Sequence, residues 1–139
     1  MLGLAIIAVL ATVATGKYKD YRERVRVMQA VADIGGMQTT ISQYSLDNRS
    51  PPNSLADVGF GSKLDPWGRP YQYLDLTTIK GKGKSRRDKF LNPLNTEFDL
   101  YSLGQDGQTQ TSLVPKVSRD DVVRARDGRF IGLASDFDP

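Results

Sequence analysis

Six cations crowd into one short stretch of the chain: Lys80, Lys82, Lys84, Arg86, Arg87 and Lys89, with Asp88 the one acid among them. Such a density could neutralise several phosphates, and a DNA or anionic-surface binder built on it would weaken steeply with salt. Phe90 is the nearest aromatic, which leaves base stacking little to work with and argues against nucleic acid as the partner. The competing reading is a solvated loop, or a contact with the acidic faces of neighbouring molecules. Gly81-Lys82-Gly83-Lys84-Ser85 has the outline of a phosphate-binding loop. The leading glycine of that motif is missing, its place falling on Thr78 or Ile79, and no nucleotide fold surrounds it, so that chemistry is rejected. Histidine and cysteine are absent altogether. That excludes the common nucleophile–base pairs, disulfides and thiolate zinc sites. Carboxylate acid–base work or an oxygen-ligated metal would be left, but no convergent catalytic set appears, and the chain reads as a non-enzyme.

The elements that must position these residues begin with a helix. The chain has 139 residues, room for one domain and one appendage. Residues 1–15, MLGLAIIAVLATVAT, carry no charge. As a helix they would measure roughly 22 Å against a hydrocarbon core of about 30 Å, membrane-competent but short. Tyr18, Tyr21, Val25, Met28 and Ala32 then step by three and four, as one face of a helix does; Ile34, Met37, Ile41 and Tyr44 repeat the stepping out of phase. The slip falls at Gly35-Gly36, where each glycine costs about 1 kcal/mol against alanine. The pattern predicts one rod over residues 2–46 with a soft joint at the glycines, near 70 Å long at 1.5 Å per residue, so that one end must protrude. Pro51-Pro52 cannot continue it. This divides the chain into an apolar segment 1–16, an amphipathic continuation 17–50 and a β-rich head 51–139. Charge follows the division: Lys17, Lys19, Arg22, Arg24 and Arg26 outweigh Asp20 and Glu23, and the loop at 80–89 forms a second basic island on an otherwise acidic body.

The second half alternates. Asp65-Pro66-Trp67-Gly68 fits a type I turn, with Asp, Pro and Gly at their favoured places. Residues 71–76 and 97–103 read as half-buried strands joined by a long basic loop, 77–95; residues 129–133 read as a third strand. Ser118 followed by Asp120 and Asp121 looks like a helix start, so a short helix is predicted over 118–126. Trp67, the one tryptophan, is expected to plug a thin core by seating the sheet on the helix, burying about 200 Å². The fold class is α+β, a long N-terminal helix packed on a small antiparallel sheet.

DPWGRPYQYL at 65–74, then FDLYSLGQDGQ at 98–108, behind a long helix that opens apolar, resembles the major pseudopilins of bacterial type II secretion and, more broadly, type IV pilin-like filament subunits. The resemblance implies a structural subunit that polymerises through its N-terminal helices into a homopolymer and drives protein export. Its partners would be copies of itself, other pseudopilins and an inner-membrane assembly platform. Its place would be the inner membrane before assembly and a periplasmic or extracellular filament afterwards. The alternative is a membrane-anchored pilin-like subunit that binds DNA or an anionic surface through loop 80–89. Members of the family begin with a methylated phenylalanine followed closely by a glutamate. LAIIAVLATVA matches that segment only if a short stretch precedes Met1; otherwise the subunit assembles without that carboxylate. Gly16 stands where many members have a helix-interrupting proline, which implies a helix locally weakened but unbroken. The resemblance also implies a calcium ion held after the YSLG-DG motif: Leu103, through its carbonyl, and Asp106 match by position, and Asp120 and Asp121 supply the remaining charge. Calcium takes six to eight hard oxygens. The competing reading leaves Asp120 and Asp121 at a helix start and Asp106 in a turn.

Overall fold

A computed structural model describes residues 2–138, with side chains from Thr15 onward. Most side chains of the apolar segment 1–16, expected to enter the membrane and the filament core, therefore lie outside the described residues. One helix, α1, covers Leu2–Asn48, a rod of about 70 Å. It runs through Gly16 and through Gly35-Gly36 as a single element. At the glycine pair, the Thr39 and Thr40 hydroxyls donate back to the carbonyls of Gly35 and Gly36 at 3.1 and 3.3 Å. Arg49 then adopts a left-handed conformation, and Pro51-Pro52 ends the helical run. Among the described residues no helix is long and apolar enough to cross a membrane.

The head is a four-stranded sheet in sequential order: β1 Gln72–Asp75, β2 Phe98–Ser102, β3 Val122–Ala125 and β4 Phe130–Leu133. All three pairings are antiparallel, with Tyr73 opposite Leu100, Tyr101 opposite Val123, and Arg124 opposite Ile131. Because strand side chains alternate, the sheet has two apolar faces. Phe98, Leu100 and Val122 face α1 and close over Ala30, Ile34, Met37 and Ile41. Val123, Ala125 and Tyr101 face away, onto Leu94 and Leu113 from the loops and Phe130 of β4. The three large aliphatic side chains on the buried helix face each contribute about 1.5–3 kcal/mol.

The helix predicted from Ser118 does not form. Lys116–Ser118 makes one 3₁₀ turn, and the chain then enters β3. Val122 and Val123 are β-branched and suit a pleated surface. More decisively, β3 pairs on both edges and is buried on both faces, a gain that a few-residue helix cannot match. The third expected strand is thus the fourth of the sheet.

Candidate functional site

Two apolar stripes run along α1 and only one is covered. Ala30, Ile34, Met37 and Ile41 are buried under the head, whereas Tyr18, Tyr21 and Met28 are 60%, 62% and 69% exposed and Val25 lies open beside them. Met28 and Ala30 are two residues apart, roughly 200° around the helix axis. The phase slip read at Gly35-Gly36 therefore marks two stripes with different destinations. From Gly16 to Arg22 every helix residue is exposed. Tyr18 lies under the Arg22 guanidinium at 5.7 Å, and Arg26 pairs with Glu23 at 3.6 Å, a surface contact of at most about 1 kcal/mol.

The head reaches this part of the helix through the Trp67 turn. The Gly68 amide donates to the Asp65 carbonyl at 3.0 Å, and the buried Asp65 carboxylate gathers three donors. The amides of Trp67 and Arg69 reach one oxygen at 3.0 and 2.9 Å, and the Ser102 hydroxyl reaches the other at 2.6 Å. Trp67 packs half-buried against the core. Its indole Nε1 donates to both carboxylate oxygens of Glu23, at 3.1 and 3.3 Å.

Between the exit of β2 and the entrance to β3 three carboxylates meet. Asp106, Asp120 and Asp121 each place an oxygen within 4.8 Å of the others. Asp106 comes from the turn after β2, while Asp120 and Asp121 lead into β3; Leu103 sits half-buried at the exit of β2. The turn closes tightly: a Cβ at Gly104, whose φ is +68°, would lie 2.1 Å from the Asp120 carbonyl oxygen. The Asp106 amide donates to Asp120 Oδ2 at 2.8 Å. Arg86 Nη2 donates to Asp121 Oδ2 at 2.8 Å, and Thr109 Oγ1 donates to the same oxygen. What is left over is informative. Among the described residues, the buried side-chain atoms without a partner are Asp120 Oδ1, Asp121 Oδ1 and Arg86 Nε, although buried polar groups are normally satisfied. Burial, opposed by Thr109 and Arg86, pushes the Asp121 carboxyl up to about 6. Burial also raises Asp120, aided by neighbouring Asp106. Three carboxylates and one guanidinium leave two negative charges, with one buried oxygen unmatched on each of Asp120 and Asp121. Those donors fit a hard divalent cation.

The basic loop divides. Lys80, Lys82, Lys84 and Lys89 are exposed, but Arg86 is only 3% exposed. Besides Asp121 it holds Thr109 at 2.6 Å and stacks over Tyr101 at 4.2 Å, while its amide donates to Asp99 at 2.8 Å. Arg87 exchanges backbone hydrogen bonds with Thr111 and Leu113 and donates to the Thr111 hydroxyl. The expectation of a six-cation anion grip is thus corrected. Arg86 is spent inside the head because burial demands a carboxylate beside it, and Arg87 is bridged by its backbone to residues 111–113.

Comparison with known proteins agrees with this architecture. A type IV major pilin protein of Neisseria gonorrhoeae is 31% identical over 94% of this chain and 82% of its own length. The chain belongs to the type IV pilin family. This pilin-like chain is also similar to the type II secretion system core protein G of Pseudomonas aeruginosa, at 29% identity over 78% of the chain and 80% of that protein. The corresponding protein of Aeromonas hydrophila is 27% identical over 80% and 81%. No family model matches the pilin-like chain, and no solved structure does either.

Proposed function

We propose that this chain is a structural subunit of a pilus-like filament, the major pseudopilin of a type II secretion apparatus, which polymerises through α1 to push exported protein outward. One observation carries the reading: an exposed stripe of Tyr18, Tyr21, Val25 and Met28 on a 47-residue helix that the head buries only along Ala30, Ile34, Met37 and Ile41. An isolated subunit leaves that stripe in water; a bundle of sister helices buries it, with cations between the stripes meeting acids of adjacent heads. The likeness to the core G proteins of two secretion systems supports the secretion reading, and the likeness to the gonococcal major pilin supports a filament subunit of either kind. The apolar run 1–15 sits in the inner membrane before assembly and in the filament core afterwards. The assembly platform and other pseudopilins are its partners there.

Calcium belongs to the same proposal. Asp106, Asp120 and Asp121 would hold it, with backbone oxygen of the Leu103–Gly107 turn, and it would neutralise the two surplus negative charges that burial makes costly.

Tyr21→Asp tests the filament reading. It should leave the unfolding free energy within about 0.5 kcal/mol of the wild type, as open surface substitutions do, and abolish filaments in electron micrographs. Normal filaments from this variant would sink the proposal.

A further inference from the structure

The acidic cluster and the Trp67 turn are not separate features, because Arg69 joins them. Its Nη1 donates to the Gly104 carbonyl at 2.9 Å. Its guanidinium also lies so close to Gly107 that a Cβ there would be 2.5 Å from Cζ. Loop 104–107 is therefore held between Arg69 on one side and the Asp120 backbone on the other. A second strand of contacts runs in parallel: Gly104 donates its amide to the Ser102 hydroxyl at 3.1 Å, and that hydroxyl donates to Asp65. Asp65 organises the turn that carries Trp67, and Trp67 ends on Glu23 of α1. Glu23, Gln105 and Asp120 line one groove, so both ends of this chain of contacts border the same space.

We propose that Arg69 is a positioning residue which couples cation occupancy of the Asp106–Asp120–Asp121 cluster to the grip of Trp67 on Glu23. This rests on the calcium reading above. A divalent ion that pulls loop 104–107 onto the carboxylates moves the Gly104 carbonyl, and Arg69 transmits that displacement to the turn it shares with Trp67. Cation binding in the head thereby sets how firmly the head holds the exposed, filament-facing stretch of helix. Such coupling is reciprocal: whatever calcium adds to the Trp67–Glu23 bond, that bond adds to calcium affinity.

The only tryptophan makes this measurable in the full chain in detergent micelles, titrated with calcium and followed by calorimetry and by indole emission. The wild type should bind calcium and shift its emission with the same midpoint. Glu23→Ala removes no ligand yet should weaken calcium about fivefold or more, the lower end of ordinary coupling, and lose the emission shift. Glu23→Gln makes the same change in charge but keeps an acceptor for the indole, and should restore both. Arg69→Met should behave as Glu23→Ala, with Arg69→Lys recovering part of the response; if Arg69→Met fails to fold, the two Glu23 variants decide alone. Binding heat without any emission change, or equal calcium affinity in Glu23→Ala and Glu23→Gln, overturns the coupling and leaves the site. Absence of binding heat in the wild type overturns the site and the coupling with it.

Discussion

Two arginines are buried in the head, one on each face of the sheet, and they are finished differently. Arg124 turns toward α1. Its Nε donates to Gln38 at 2.8 Å, Nη1 to the Phe98 carbonyl at 2.9 Å and Nη2 to Glu97 at 3.2 Å, with the Phe98 ring 3.9 Å from Cζ. Arg86 turns the other way and is left with Nε unmatched, as is one oxygen of its partner Asp121 and one of Asp120. A polar cluster completed by the protein is a staple between sheet and helix. One completed only in part is destabilising unless something else finishes it. The difference separates architecture from candidate site more clearly than exposure does, since both side chains are equally hidden.

The largest way to break the comparison is at its finished end. Arg124→Ala strips partners from Gln38 and the Phe98 carbonyl and opens a gap over the Phe98 ring. Denaturant unfolding should show a loss of about 3–5 kcal/mol, as when one member of a buried ionic set is removed, and the loss should be the same with calcium or chelator. A calcium-dependent loss would mean the two clusters are not independent.

At the unfinished end the effect is set by ligand. Calcium at a hundred times its dissociation constant should stabilise the head by about 2.7 kcal/mol, so adding chelator should lower the melting temperature. Asp106→Ala should abolish that response while leaving Arg124 and its neighbours in place. Identical melting curves with and without chelator in the wild type would remove the cation site.

Protons offer a smaller handle on the same cluster. The Asp121 carboxyl is raised in the folded state from 3.8 to about 6, chiefly by burial. The native state therefore binds more protons than the unfolded chain between those values, and this group's contribution to stability falls as pH climbs through that window. Asp120 and Asp99 are shifted upward by burial too, and push the same way. With chelator present, the head should be more stable near pH 5 than near pH 7 to the extent these groups dominate. Asp121→Asn should flatten the difference, and calcium should oppose it by favouring the ionised carboxylates. A pH profile unchanged by Asp121→Asn would assign the slope elsewhere.

These contrasts also explain what could be read in the sequence. The helix, its end at the prolines, the Asp65–Gly68 turn and strands β1, β2 and β4 are written locally, in periodicity and turn residues. Strand β3 is not. Its evidence lies in partners on either side, and the local signal at Ser118-Asp120-Asp121 describes a helix start that pairing overrides. Asp106, Asp120 and Asp121 were reached only through resemblance, because no spacing rule brings Asp106 to residues fourteen and fifteen places later. Arg86 was hidden in a charge run. Its partner Asp121 is 35 residues away, and the one local hint is the change from lysine to arginine at Arg86-Arg87, since arginine is the cation suited to buried, forked contacts. The exposed stripe was visible as periodicity, but a period alone does not say which of two faces the domain will cover.

The smallest prediction uses that same loop as its own control. Lys84 and Arg86 are two residues apart and were equivalent as members of one basic run, yet one is solvated and the other lies under the sheet. Lys84→Ala should change stability by no more than about 0.5 kcal/mol, with calcium affinity unaltered at physiological salt, where screening shortens the reach of an exposed charge. A substantial loss of either would show that the exposed lysines act with Arg86 as one electrostatic unit. The separation of the run into a buried guanidinium that serves the acidic cluster and outer cations free for neighbouring subunits would then fail.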